Sequence, residues 1–221
     1  MPGRPGFAAL ILAAAASVAL AGEATLGDVS VTLPSPAGFC ELNASDPFDS
    51  RIITNVSGSI EKAGTKLIGM SVDCGQLAEA RAGRRLHFDD VIQYQTRIAT
   101  MDKPPTESVA QTCTTLRTQG SAIVRDINAR LASILEKIKI NETSFIGVLA
   151  EDANACYAAL IQKVGTEAGK EKTQVVLYAV TIIRSRSMAI DRYAVYQNPD
   201  TVNAVLAKLK LDVAGLIAAN P

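Results

Sequence analysis

Residues 90–99 carry the clearest strand pattern of the chain: Ile92, Tyr94, Thr96 and Ile98 face one way, Gln93, Gln95 and Arg97 the other. Such alternation predicts a strand covered on one side. Upstream, 29–33 (VSVTL) alternates before Pro34, and 39–42 (FCEL) reads as extended, so this end supplies short edge strands. A helix follows. Asp46 is a good N-cap, Pro47 suits the first helical position and Asp49 favours the positive end of the dipole, while Ile52, Ile53, Val56 and Ile60 form a stripe that stops at Gly64. Residues 66–73 (KLIGMSVD) make the next strand, with Ile68, Met70 and Val72 on one face, and 76–82 is a short helix ending at Gly83.

After Pro104-Pro105 the period changes. Val124, Ile127, Leu131, Ile134, Leu135 and Ile138 recur at helical spacing, and Gly120 is where this region could divide into two helices. Strands then dominate, at 143–150, 155–164, 173–183 and 188–196. Residues 175–183 are apolar without alternation, which predicts a strand buried on both faces and therefore a sheet covered on both sides. The polar segment 165–172 (GTEAGKEK) reads as a hairpin loop. Asn198-Pro199-Asp200 caps a last helix whose Val202, Val205, Leu206, Leu209, Val213, Leu216 and Ile217 form one stripe that should pack on the sheet. No repeat or low-complexity linker interrupts this order. The expected architecture is α+β: a mainly antiparallel sheet with helices on both faces, an α/β/α sandwich in a single domain.

The first 21 residues change the expected compartment. Arg4 is the only charge before Glu23, the run 7–20 (FAALILAAAASVAL) is nearly all apolar, and Ala19-Leu20-Ala21 puts small residues where a signal peptidase reads. The reading is a secretory signal over 1–21, cut after Ala21, and one exported domain over 22–221, in the periplasm or outside the cell. The run is too short to span a bilayer, and no later stretch is apolar enough, so no membrane span is expected after cleavage. With 22 basic and 22 acidic residues in the whole chain, no charge excess marks a nucleic-acid partner.

Export gives the cysteines a meaning. Cys40, Cys74, Cys113 and Cys156 are even in number and read as two disulfides with three possible connectivities. Sequential pairing, Cys40 with Cys74 and Cys113 with Cys156, is preferred because it joins neighbouring elements. None of the four forms a Cys-x-x-Cys motif for redox or zinc chemistry.

Candidate chemistry is sparse. His87 is the single histidine, in the run Arg84-Arg85-Leu86-His87-Phe88-Asp89-Asp90, so histidine acid–base catalysis has to use it, and a multi-histidine metal site is ruled out. No catalytic motif accompanies it, and a surface position in the polar connection before a strand is the preferred reading. Arg81, Arg84 and Arg85 form a basic cluster, Arg184 and Arg186 another, either able to hold a carboxylate or phosphate or simply to face solvent. Gly165-x-x-x-Gly169-Lys170-Glu171 fails as a phosphate loop, being one residue short and lacking the hydroxyl after the lysine. Tyr157, Tyr178, Tyr193 and Tyr196 lie on the later strands, where they could line a pocket or fill a core.

The C-terminal run IDRYAVYQNPDTVNAVLAKLKLDVAGLIAAN resembles the end of the PsbP-like fold, an α/β/α sandwich whose last strand passes into a long packing helix. The chain as a whole is also similar to small exported α-proteobacterial proteins without an assigned activity. The resemblance implies a binding or assembly module without a catalytic centre, and carries over no functional residue. The expectation is therefore a non-catalytic exported module that binds a protein partner or small ligand and needs no cofactor. The alternatives are a small hydrolase or isomerase using His87, and a structural envelope protein.

Overall fold

The structure, a computed structural model, describes residues 22–85, 87–137, 140–165 and 171–221. The expected leader 1–21, most of the loop at 165–172, and Ile138 at the end of its stripe lie outside those residues, as do the side chains of Leu131, Ile134 and Leu135. Strands β1 (Gly22–Leu26) and β2 (Val29–Leu33) form a hairpin of their own. Seven further strands make one antiparallel sheet: β3 (Phe39–Glu41), β4 (Thr65–Asp73), β5 (Val91–Arg97), β6 (Ile140–Glu151), β7 (Ala155–Gly165), β8 (Glu171–Ile183) and β9 (Arg186–Val195). Their spatial order is β3-β4-β5-β9-β8-β7-β6, which sets β5, β9 and β8 at the centre. The helices are α1 (Pro47–Lys62), α2 (Cys74–Arg81), α3 (Val109–Lys137) and α4 (Pro199–Ala218).

Local chemistry starts the helices where the sequence places them. The Asp46 side chain accepts from the Phe48 and Asp49 amides at 2.8 and 3.1 Å, with Pro47 in the first turn. Asn198 and Thr201 close a reciprocal capping box at the start of α4. Gly120 does not divide α3. A Cβ there would clash with the Phe145 ring, so the glycine lets the helix lie close over β6.

The two faces of the sheet are covered differently. On one, α4 and the β1–β2 hairpin enclose Ile92, Tyr94, Tyr157, Leu177, Met188 and Ile190, all at most 2 % exposed. Asn220 ties the two covers together: its side chain accepts from the Thr32 amide and donates to the Thr32 carbonyl, both at 2.8 Å. On the other face, α1 packs with Met70, Val72, Val91 and Tyr193, while α3 packs with Ala158, Tyr178 and Val180. This is the α+β sandwich expected, with helices on both faces of one sheet.

Both disulfides form in the preferred sequential pattern, Cys40 with Cys74 and Cys113 with Cys156, and no cysteine is free. The first joins β3 to the start of α2, and the second fastens α3 to β7. Closing loops of 34 and 43 residues, each constrains the unfolded chain by about 4 kcal/mol on a chain-entropy estimate. Such bonds suit an oxidising environment. Among the described residues, no helix is long and apolar enough to cross a membrane.

Two strands differ from the pattern read in sequence. The polar side of β5 is not open to solvent: Gln93 and Gln95 are 6 % and 7 % exposed. Conversely, β8 is buried on both faces only up to Leu177, after which Tyr178, Val180 and Ile182 are half-buried. Both differences fall on the face that α1 and α3 cover: the cover closes over Gln93 and Gln95 and leaves a gap over Tyr178, Val180 and Asp191, which stay partly accessible.

Candidate functional site

That gap is where chemistry-bearing side chains converge. The β9 register sends Met188, Ile190 and Arg192 under α4, and Ala189, Asp191 and Tyr193 toward α1 and α3. Pairing then aligns Tyr178, Asp191 and Gln93 in one row across β8, β9 and β5. The adjacent row is Val176, Tyr193 and Val91, and on the other side lie Val180, Ala189 and Gln95.

A hydrogen-bond chain crosses these rows. The Tyr193 hydroxyl donates to Gln93 Oε1 at 3.2 Å, Gln95 Nε2 donates to the same oxygen at 2.9 Å, and Gln95 Nε2 also donates to Asp191 Oδ2 at 2.6 Å. The chain ends at the carboxyl. Asp191 Oδ1 and the Tyr178 hydroxyl have no hydrogen-bond partner among the described residues. No fully enclosed side-chain oxygen or nitrogen lacks a partner there either, so both atoms meet solvent in the gap. Apolar groups stand beside it: Ile52, Ile53 and Val56 of α1 pack with Tyr193, and Val109 and Leu116 of α3 with Tyr178 and Val180.

Electrostatics set Asp191 apart. Crowding by protein pushes its carboxyl up to about 7, and the Gln95 hydrogen bond opposes this only in part. Part of the residue's surface nevertheless stays accessible. No described cation pairs with it. Burial, and then the neighbouring Asp191 charge, raise the Tyr178 hydroxyl, with the Arg97 guanidinium acting the other way. Burial likewise raises Tyr193. What results is a partly desolvated floor with one unpaired carboxylate oxygen and one unpaired hydroxyl, the latter able to donate or accept.

The residues singled out in sequence lie elsewhere. His87 is exposed in the loop before β5, where its backbone carbonyl accepts from Arg85 at 3.1 Å. Arg81, Arg84 and Arg85 do not converge. Arg81 is spent on the fully buried Asp49, which it grips with two hydrogen bonds, and Arg85 bridges Glu79 and Asp89 at 3.0 Å each. Arg84 is exposed. Burial works against the Asp89 charge, but Arg85 and Lys172 together hold this carboxyl below its usual range. Arg186 is 6 % exposed and bonds Asp28 and the Leu26 carbonyl, while Arg184 donates to the Ser30 carbonyl, so this pair holds the hairpin in place. The tyrosines divide between the faces: Tyr178 and Tyr193 line the gap, whereas Tyr157 lies on the α4 side with its hydroxyl donating to Asp152 at 2.9 Å.

Asp191 was legible only as an anomaly. In Met188-Ala189-Ile190-Asp191-Arg192-Tyr193 an acid and a base sit side by side inside an alternating strand, where extended geometry sends them to opposite faces. Each therefore needs its own partner, and only Arg192 has a charged one.

Two clefts lie outside the gap. One, of about 870 Å³, sits between the start of α3, the β6–β7 turn and the end of α4. Several of its polar groups are already used: Thr181 donates to the Asn154 carbonyl, and Glu151 pairs with Arg117. The other, of about 620 Å³, lies beside the start of α4, with Asp200 and Lys208 exposed at its rim. Among the described residues no group of three or more histidine, cysteine or acidic side chains could hold a metal ion. Comparison with known protein families, curated proteins and solved structures finds no match.

Proposed function

We propose that this chain is an exported, non-catalytic binding module that holds a small ligand between α1 and α3. One observation carries the reading: Asp191 sits on the sheet under the helices with one oxygen held by Gln95 and the other, like the Tyr178 hydroxyl, without a protein partner among the described residues. Keeping a carboxyl in so crowded a place is unfavourable, and a bound group that completes its hydrogen bonds removes that penalty. Ile52, Ile53 and Val56 of α1, half-buried against the cluster that includes Tyr193, add apolar lining of the kind small-molecule sites have. His87, exposed and away from this floor, gives no support to an enzyme built around it. The binding role implied by the PsbP-like resemblance points the same way, and the two disulfides fit export.

The test is native mass spectrometry of the oxidised protein isolated from its own host, with Asp191→Ala alongside. The expected result is a small-molecule adduct on the wild type that the variant lacks. An adduct retained in full by the variant would move the site away from Asp191, and the absence of any adduct on either protein would contradict the reading.

A further inference from the structure

Resting on the export part of that reading, we infer that cutting the chain between Ala21 and Gly22 creates a latch, in which the new amino terminus of Gly22 pairs with the Glu41 carboxylate and fastens the β1–β2 hairpin to β3. Hydrolysis of that peptide bond takes up one water, leaves a carboxylate on Ala21, and leaves on Gly22 an amine that is mostly an ammonium at neutral pH. In the uncut chain the same nitrogen is a neutral amide.

Geometry brings the two groups together. Strand β1 begins at Gly22 itself, and its alternation turns Gly22, Ala24 and Leu26 inward while Glu23 and Thr25 are exposed. Glu41 leaves β3 on the same side as Phe39, which packs with the core that this hairpin covers. A Cβ added to Gly22 would clash with Glu41 Oε1 and stand 2.8 Å from its Cδ and Oε2. The backbone nitrogen shares its Cα with that position and lies about 2.5 Å from it, hence within about 5 Å of the carboxylate, a separation that rotation of the flexible Glu41 side chain closes.

Glu41 also lacks a cation. Partial burial pushes its carboxyl up, and among the described residues no hydrogen bond or counter-charge opposes this. The arginines of this face are committed: Arg192 holds Asp212, while Arg184 and Arg186 hold the turn end of the hairpin at Ser30, Asp28 and Leu26. The open end, where Gly22 pairs with Leu33, has neutral ties: the Tyr94 hydroxyl donates to the Pro34 carbonyl, and Asn220 binds Thr32. Beside Glu41 the Cys40–Cys74 disulfide anchors β3, so the latch closes on a fixed strand.

The test follows deuterium exchange of the β1 and β2 amides in four oxidised chains: one beginning at Gly22, one beginning at Ala21, and each of these with Glu41→Gln. Starting at Ala21 moves the ammonium by one residue and keeps every side chain from Gly22 onward. Glu41 is exposed over much of its surface, so the pair has the strength of a surface ion pair, and either change alone should speed exchange about threefold, with the two together doing no more than one. Effects that multiply, a single change that acts alone, or no effect of either would overturn the latch and leave the cut standing. Should Glu41→Gln not fold, the other two chains decide: their difference should fade in high salt, and a difference that persists would overturn the latch. N-terminal sequencing of the protein exported by its host tests the reading beneath, and a first residue other than Gly22 would overturn the cut and the latch together.

Discussion

Asp191 and Arg192 are consecutive residues whose side chains leave opposite faces of the same central strand, so neither neutralises the other. Arg192 turns under α4, pairs with Asp212 and lies over the Phe39 ring at 4.9 Å from its centroid. Asp191 turns toward α1 and α3 and meets Gln95 instead of a cation. One pair of neighbours thus supplies both the best-buried ion pair among the described residues and a carboxyl with no counter-charge there.

The uncompensated carboxyl gives stability a pH dependence of known sign. Asp191 is raised from 3.8 to about 7, so between those values the folded protein keeps a proton that the unfolded chain has released. Its contribution is complete below about pH 4, declines as pH rises, and is lost above 7. Asp191→Asn, which can still accept from Gln95, should therefore gain in urea midpoint relative to wild type as pH is raised from 4.5 to 8. A difference that stays constant across that range would show that Asp191 titrates as an ordinary surface carboxylate.

The ion pair on the other face predicts the opposite response to truncation. Burial raises the Asp212 carboxyl while Arg192 counteracts it, and the two side chains are 4 % and 5 % exposed. Asp212→Ala strands a buried guanidinium and should cost about 3–5 kcal/mol, whereas replacing both partners by apolar residues of similar volume should cost far less. Denaturant unfolding of the single and double variants decides it. Equal losses would mean that the pair contributes packing and no charge compensation.

The stripe along α4 is not uniform. Leu209 is fully buried beneath the helix, Leu206 is half-buried and Lys208 is exposed. Leu209→Ala should lower stability by about 2–5 kcal/mol, Leu206→Ala by less, and Lys208→Ala scarcely at all. Urea midpoints of the three rank them. Indistinguishable midpoints for Leu209→Ala and Lys208→Ala would mean that α4 is detachable from the sheet.

The fold was largely legible because most elements announce themselves locally. The Asp46 and Asn198 caps, the α1 and α4 stripes and the β5 alternation marked these elements, and the unalternating run in β8 called for cover on both faces of the sheet. Three features were not legible, each for the same physical reason. Gly120 reads as a breaker until Phe145, 25 positions on, is known to press against it. Gln93 and Gln95 read as a solvent face until helices are seen to cover them, and strand β1, with Gly22, Glu23 and Ala24 among its residues, shows little strand preference before its pairing with β2 is known. The site failed to show itself because it joins residues of β8 and β9 to residues of β5 about 100 positions earlier, and its only sequence trace is an acid and a base in the middle of one strand. His87 and the arginine cluster drew attention by residue type, yet the arginines are mostly committed to ion pairs that hold α1, α2 and the loop before β5.

Mapping where a ligand lands tests the site most directly. Amide spectra of the isotope-labelled, oxidised protein would be recorded before and after adding the small-molecule fraction, below about 1 kDa, of the compartment into which the host exports it. A ligand held between α1 and α3 should concentrate the shifts at Tyr178, Ala189, Asp191, Tyr193, Gln93 and Gln95, with little change along α4. Shifts confined to the cleft beside the start of α4 or to the one at its end, or an unchanged spectrum, would contradict a ligand site on Asp191.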